Sequence, residues 1–492
     1  MTARRRILAV AVANVLLAGC TVGPDFRPPA PPSVDRYLPT ALPAQTAGAP
    51  AAGEPAQRFT LGAAVEARWW RMFGSPVLDA LEDEALKHNA DLAAANAALR
   101  QAQELLLAQR ATRFPTIDFA GSGARQKNSY ALASPLSSND QSYSLFAGQF
   151  NIAYALDVFG LQRRQTEAVA AQTDVQRFQV EAAYLALTSN VANVVLQIAG
   201  LNAQLAAARD NAAAYRQMLD LTRRMQALGE ISMTDVAAAE TALAQADQAP
   251  PPLQKQIGQL NDVLAVYLGR TPAELEAVRL DLADVRLPSD LPVSLPSDLV
   301  RQRPDVQAAE ASLHAASAQV GVATAARLPS FALSGSLGGT STALSQLVSN
   351  GNGFWSVGGS GAYSVFDAGA LRHQQKAAEA AFAQAQEQYR ATVLGAFQNT
   401  ADVLQAIVYD AEALRLAAAA AQAAERSSTL ARIQFEHGEA NALTALNAEA
   451  ARRQAQLALV QARGARFSDT VALLQALGGG WRATPEAKEA AR

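Results

Sequence analysis

The chain is poor in the residues that carry out chemistry. Its 492 residues include one cysteine, Cys20, and four histidines, His88, His314, His373 and His437, which stand singly and far apart. They form neither a His-Glu-x-x-His run nor a Cys/His ligand spacing, so no metal motif is present; solvated helix positions account for the histidines. No glycine-rich phosphate loop follows a strand to open a helix. Gly358-Gly359-Ser360-Gly361 falls inside a strand pattern, where glycines ease curvature or packing. Aromatic residues make up only 6% against 50% hydrophobic residues, alanine supplying much of the latter. That balance suits long, closely packed helices rather than a thick aromatic core. The formal net charge is −3 and no basic block lies beyond the N-terminus, which argues against nucleic acid as a partner. After the N-terminus no segment is read as 18 strongly apolar residues, so a membrane crossing has to use strands. Nothing in the sequence reads as an enzyme.

What is present begins with a targeting segment. Arg4-Arg5-Arg6 is a basic stretch, residues 7–17 are a short apolar run, and Leu17-Ala18-Gly19-Cys20 is a small-residue processing site. The segment resembles a bacterial lipoprotein signal, which implies removal of residues 1–19 and acylation of Cys20. Thr21 follows Cys20 where an aspartate would favour retention at the inner membrane, so the resemblance implies the outer membrane.

The rest of the chain is one pattern used twice. Ala94-Ala95, Leu99, Arg113-x-Pro115 and Gly121-Ser122 recur 214 positions later as Ala308-Ala309, Leu313, Arg327-x-Pro329 and Gly335-Ser336. From Tyr154 the shift is 209, mapping Gly160 to Gly369, Gly229-Glu230 to Gly438-Glu439, and Leu268-Gly269 to Leu477-Gly478. Each repeat predicts a helix (77–112 in the first), two alternating strands (116–123 and 143–158; 331–339 and 354–366), and then a very long helix (161–228; 370–437). Strands of this length suit a tilted bilayer crossing. The long helix carries +4, +3 apolar spacing through Val191, Val194, Ile198, Leu201 and Leu205, a coiled-coil seam. At 1.5 Å per residue it makes a rod of about 100 Å, which has to project into water. Gly229 and Gly438 suit helix C-termini, and Ser232 and Asn441 suit N-caps of returning helices, Ser232 forming a capping-box variant with Asp235. Pro250-Pro251-Pro252 interrupts only the first returning helix.

Four strands per chain cannot close a membrane barrel, and an open edge in lipid is prohibitive. Partner copies therefore have to complete the ring. Three copies of four strands make twelve.

Several motifs identify a resemblance: Leu17-Ala18-Gly19-Cys20-Thr21-Val22-Gly23-Pro24-Asp25-Phe26, Trp69-Trp70-x-x-Phe73, Asn89-x-Asp91-Leu92, Arg303-Pro304-Asp305-Val306, and Leu477-Gly478-Gly479-Gly480-Trp481. With these, the chain is similar to TolC-type outer-membrane efflux channels of the lipoprotein (NodT-like) branch that serve RND pumps. The resemblance implies a mixed α+β membrane protein, trimeric, with a twelve-stranded β-barrel continued by an α-helical barrel. It divides the chain into a signal peptide (1–19), an extended anchor segment (20–76), repeat 1 (77–269), an equatorial linker (270–302), repeat 2 (303–478) and a tail (479–492). It implies a homotrimer in outer-membrane lipid, working with a periplasmic adaptor and an inner-membrane RND transporter, with no cofactor beyond the lipid on Cys20.

By the same resemblance the periplasmic gate lies near Leu443 and Asn447, with Asp235 assigned to it, and Gly229, Glu230, Gly438 and Glu439 form adaptor-docking tips. Many relatives carry an acid at the position of Asn447 and an arginine three residues on. Here those positions are Asn447 and Ala450, which shifts the expectation from a salt-bridged lock to an apolar constriction at Leu443; ordinary helix packing of Leu443 is the competing reading. A type I secretion channel and a lipid-anchored coiled-coil spacer stay open as alternatives.

Overall fold

The computed structural model describes residues 21–30, 32–131 and 138–480. The signal segment, Cys20 and the tail from Trp481 lie outside the described residues. The strands are β1 (Arg58–Leu61), β2 (Thr116–Lys127), β3 (Ser142–Leu156), β4 (Asp290–Val293), β5 (Ser330–Ser341) and β6 (Gly353–Ala362). The helices are α1 (Pro76–His88), α2 (Ala90–Ala111), α3 (Leu161–Ala227), α4 (Met233–Asp247), α5 (Pro250–Tyr267), α6 (Pro296–Gln302), α7 (Pro304–Ala325), α8 (Ala370–Glu436) and α9 (Ala442–Ala476). The two rods α3 and α8 are each 67 residues long, as the spacing predicts.

Two compact units result. The first takes in residues Met1–Pro29, Ala98–Gln176 and Ala308–Arg390. Its centre is an antiparallel sheet of order β2-β3-β5-β6, paired without a bulge from Thr116↔Ala153 through to Gly339↔Gly353. β2 and β6 are its free edges.

The second unit takes in Ala30–Ala97, Arg177–Gln307 and Ala391–Arg492. The rod seam is buried here at Val191, Val194, Ile198, Leu205, Tyr215 and Leu219. The small parallel pair β1–β4, running Arg58↔Asp290 to Leu61↔Val293, is absent from the sequence reading. The 3-10 turn Trp69–Phe73 buries Trp69, Trp70 and Phe73 completely, with the Phe73 ring centroid 6.1 Å from that of Phe467.

Three expectations change. The first helix is not continuous over 77–112: it breaks at Asn89, whose Oδ1 accepts from Leu92 N (2.9 Å) to start α2. The second repeat breaks at the matching residue, Arg303, between α6 and α7. Strand β2 runs further, to Lys127, while β6 stops at Ala362. Finally, α3 does contain an 18-residue window that by length and composition is apolar enough to cross a membrane, contrary to the sequence reading; 50% of that window is already buried. The proline run behaves as expected, splitting α4 from α5, whereas α9 is continuous for 35 residues.

Candidate functional site

Three features stand out as functional. The first is the four-stranded sheet. Because side chains alternate, its register sorts most of them onto an apolar and a polar face, with Leu145 and Phe354 as large apolar residues on the polar one. One face carries Ile117, Phe119, Phe146, Phe150, Ile152, Tyr154, Leu156, Phe331, Leu333, Leu337, Trp355 and Val357, with glycines between. Phe119 and Phe150 are cross-strand partners with ring centroids 5.2 Å apart. The other face carries Thr116, Asp118, Ser122, Gln149, Asn151, Ser334, Ser336, Thr340, Ser356 and Ser360. On it Gln149 Nε2 donates to Asn151 Oδ1 (2.8 Å), and the Ser336 and Ser356 hydroxyls lie 2.8 Å apart. Most of the large apolar side chains, including Phe119, Leu337, Trp355 and Val357, are exposed in the single chain. An exposed face this rich in aromatics has lipid as its natural solvent.

The second feature is the N-terminal clasp on the first unit. Arg164, in the first turn of α3, donates from Nε to Val22 O (3.0 Å) and from Nη2 to Asp25 Oδ1 (2.8 Å), while Nη1 reaches Glu167 Oε2 (2.8 Å). Glu167 Oε1 lies 3.0 Å from His314 Nε2, and the His314 ring stacks on Phe26 at 4.4 Å. Val22 N donates to Phe159 O, and Thr21 packs against Gly160. The residue after Cys20 is thus fixed at the junction where β3 becomes α3.

The third feature is the rod ends. Gly229 (φ 80°) and Gly438 (φ 73°) take the left-handed conformation. Glu230 N donates to Met225 O (3.0 Å) and Glu439 N to Gln434 O (2.8 Å), so the two turns close identically. The capping box is present: Ser232 N donates to Asp235 Oδ2 (3.0 Å) and Asp235 N to Ser232 Oγ (3.3 Å). Asn441 Oδ1 caps α9 by accepting from Thr444 N (2.8 Å). Asp235 is therefore occupied as a cap in this structure. Leu443 and Asn447 lie four residues apart on an exposed face of α9, Leu443 being 58% exposed. The opposite face buries Ala442, Ala445 and Leu446 against Tyr215, Met218 and Phe435.

Sequence reasoning missed a neighbouring network. Arg452 Nη2 meets Glu449 Oε1 at 2.5 Å, its Nη1 reaches Glu425 Oε2 (3.3 Å), and Ser428 Oγ donates to Glu449 Oε2 (2.6 Å). The acid–arginine pair absent at 447 and 450 is present two residues on, turned toward α8. Its signal was the i,i+3 spacing of Glu449 and Arg452. Burial pushes the Glu449 carboxyl up, but the hydrogen bonds from Arg452 and Ser428 outweigh it and leave it below its ordinary value. No group of three or more metal-ligating side chains occurs among the described residues.

The outer membrane efflux protein family model matches residues 81–270 and 295–479. The chain is 32% identical over 487 residues to the probable efflux pump outer membrane protein TtgC of Pseudomonas putida, covering 97% of this chain and 96% of that one. It is 30% identical over 493 residues to the pyoverdine export outer membrane protein OpmQ of the same species, covering 98% and 99%. Among solved structures, the outer-membrane channel OprN superposes with a TM-score of 0.83 at 29% identity, covering 94% of this chain and 100% of that one. A two-faced sheet, paired rods and a match over most of its length make this chain a member of the outer membrane efflux protein family.

Proposed function

We propose that the chain is one subunit of a passive outer-membrane conduit in a tripartite RND-type efflux assembly, exporting small molecules without catalysis. The observation that carries this is the sheet's division into an apolar face and a small polar face with both edges free. A sheet of that kind is satisfied in lipid only when closed into a ring, and its hydroxyl face then lines a passage. Three copies supply twelve strands, enough for a lumen that side chains do not fill. A lipid-anchored spacer without a pore has no use for either face.

The lipid on Cys20 fits the clasp, which holds Thr21 at the foot of the strands, where an acyl chain enters the inner leaflet. The exposed Leu443 and Asn447 form the gate, and Gly229, Glu230, Gly438 and Glu439 form the tips that meet a periplasmic adaptor linked to the inner-membrane transporter. Asp235 serves the gate indirectly, by fixing the start of α4. The linker 270–302 serves as an equatorial connection between the two repeats.

Full-length protein purified in detergent tests the reading. It is expected to migrate as a heat-modifiable trimer and to conduct ions in planar bilayers; a monomer that never conducts overturns it.

A further inference from the structure

One cross-strand row on the polar face of the sheet runs Asp118↔Asn151↔Ser336↔Ser356, using all four strands. Its neutral members are engaged with one another or with Gln149. Asp118 differs from them. It is exposed, and among the described residues no hydrogen bond or ion pair engages its carboxylate. It is also the only formal charge on that face of β2, β3, β5 and β6; Arg125 and Lys127 fall on the apolar face by alternation. Every other residue of the polar face is a hydroxyl, an amide, glycine, alanine or another uncharged side chain.

We infer that Asp118 sets the charge preference of the barrel, making the membrane-spanning part of the passage selective for cationic solutes. The inference rests on the conduit reading, because closure into a trimer is what turns one carboxylate per chain into three around one lumen. Carboxylates facing a pore attract cations and repel anions, more strongly where low-dielectric walls confine the field. The neutral hydroxyl lining leaves no countercharge on the wall to cancel them.

The test compares full-length wild type, Asp118→Asn and Asp118→Lys in planar bilayers, reading the potassium-to-chloride permeability ratio under a KCl gradient. Heat-modifiable migration of each variant checks assembly first. At 0.01 M salt, where the screening length is about 30 Å, the ratio is expected to fall toward one in Asp118→Asn and further in Asp118→Lys. At 1 M salt, where it is about 3 Å, the three proteins are expected to converge. If Asp118→Asn does not assemble, Asp118→Ser, which matches the hydroxyls of its row, supplies the neutral case. Equal ratios in conducting channels at low salt overturn the role of Asp118. Absence of conductance in the wild type as well overturns the conduit reading instead.

Discussion

Arg303 in the second repeat makes the contact that Asn89 makes in the first. Asn89 Nδ2 donates to the carbonyl of Tyr267 (3.1 Å) and Arg303 Nη1 to the carbonyl of Ala476 (2.9 Å), each acceptor lying at the end of a returning helix. Directly beyond those carbonyls, Gly269 and Gly478 come so close to the preceding strand of chain that an added Cβ would stand 2.3 Å from His88 O and 2.6 Å from Gln302 O. The two repeats thus share one joint, built from a helix break, a donor and a glycine.

Substitutions at this joint are expected to be costly in both repeats. Gly478→Ala has to relieve a backbone collision and adopt φ 88°, a strain of about 1–3 kcal/mol. Arg303→Ala leaves the Ala476 carbonyl short of a partner, at about 1–3 kcal/mol. Lowered thermal midpoints of the detergent-solubilised protein check both; a midpoint equal to wild type in Gly478→Ala contradicts the joint.

Arg452→Ala is expected to loosen the start of α9 from α8, since it removes the guanidinium that bridges Glu449 and Glu425 and leaves Glu449 with only the more distant charge of Arg432. The pair is partly buried, so removing one partner costs more than at an open surface, about 1–3 kcal/mol. Glu449 titrates below its ordinary 4.5, so its stabilisation is fully present above that pH and is lost as pH falls through the lower folded value. A stability profile that declines below pH 4.5 in wild type and flattens in Glu449→Gln is the expected result.

Asp469 gives a profile of opposite sign. Burial, then a hydrogen bond to Asp410 and its charge, raise the carboxyl from 3.8 to about 7. The folded chain holds this proton where the unfolded chain has lost it, so stability falls as pH rises from about 4 to about 7 and then levels. Asp469→Asn is expected to abolish that fall and to raise the midpoint above pH 7, as measured by melting at pH 5 and pH 8. A steeper fall in the variant argues against a protonated Asp469.

At the proposed gate, Leu443→Ala should leave the midpoint within about 0.5 kcal/mol of wild type, because the side chain is exposed in the single chain. Conductance and antibiotic leakage should rise. The double variant Asn447→Asp with Ala450→Arg installs a lock at 447 and 450 and should lower conductance. Unchanged conductance in both removes this face of α9 from the gate.

The sequence made legible what local chemistry dictates. The rods follow from an uninterrupted seam, their ends from Gly229, Ser232, Gly438 and Asn441, and the sheet from alternation strong enough to give register. What it concealed depends on partners far along the chain. The β1–β4 pair joins segments 232 residues apart, through contacts such as Arg58 to Asp290. Arg466, 2% exposed, is held by Ile407 O and Gln57, neither of which marks itself as an arginine partner in sequence. Asn89 looks like any helix residue until Tyr267 is brought beside it. Glu449 and Arg452 were visible, but their direction was not, since periodicity alone does not say which stripe of α9 meets α8.

The unpaired borders of β2 and β6 have a consequence for biogenesis. A single copy entering the bilayer would expose two rows of unmet amide and carbonyl groups to hydrocarbon, so insertion and subunit recruitment have to proceed as one event. Yield of mature protein should then depend steeply on how many nascent copies meet at once, and a defective copy with a blocked border should poison the intact copies synthesised alongside it.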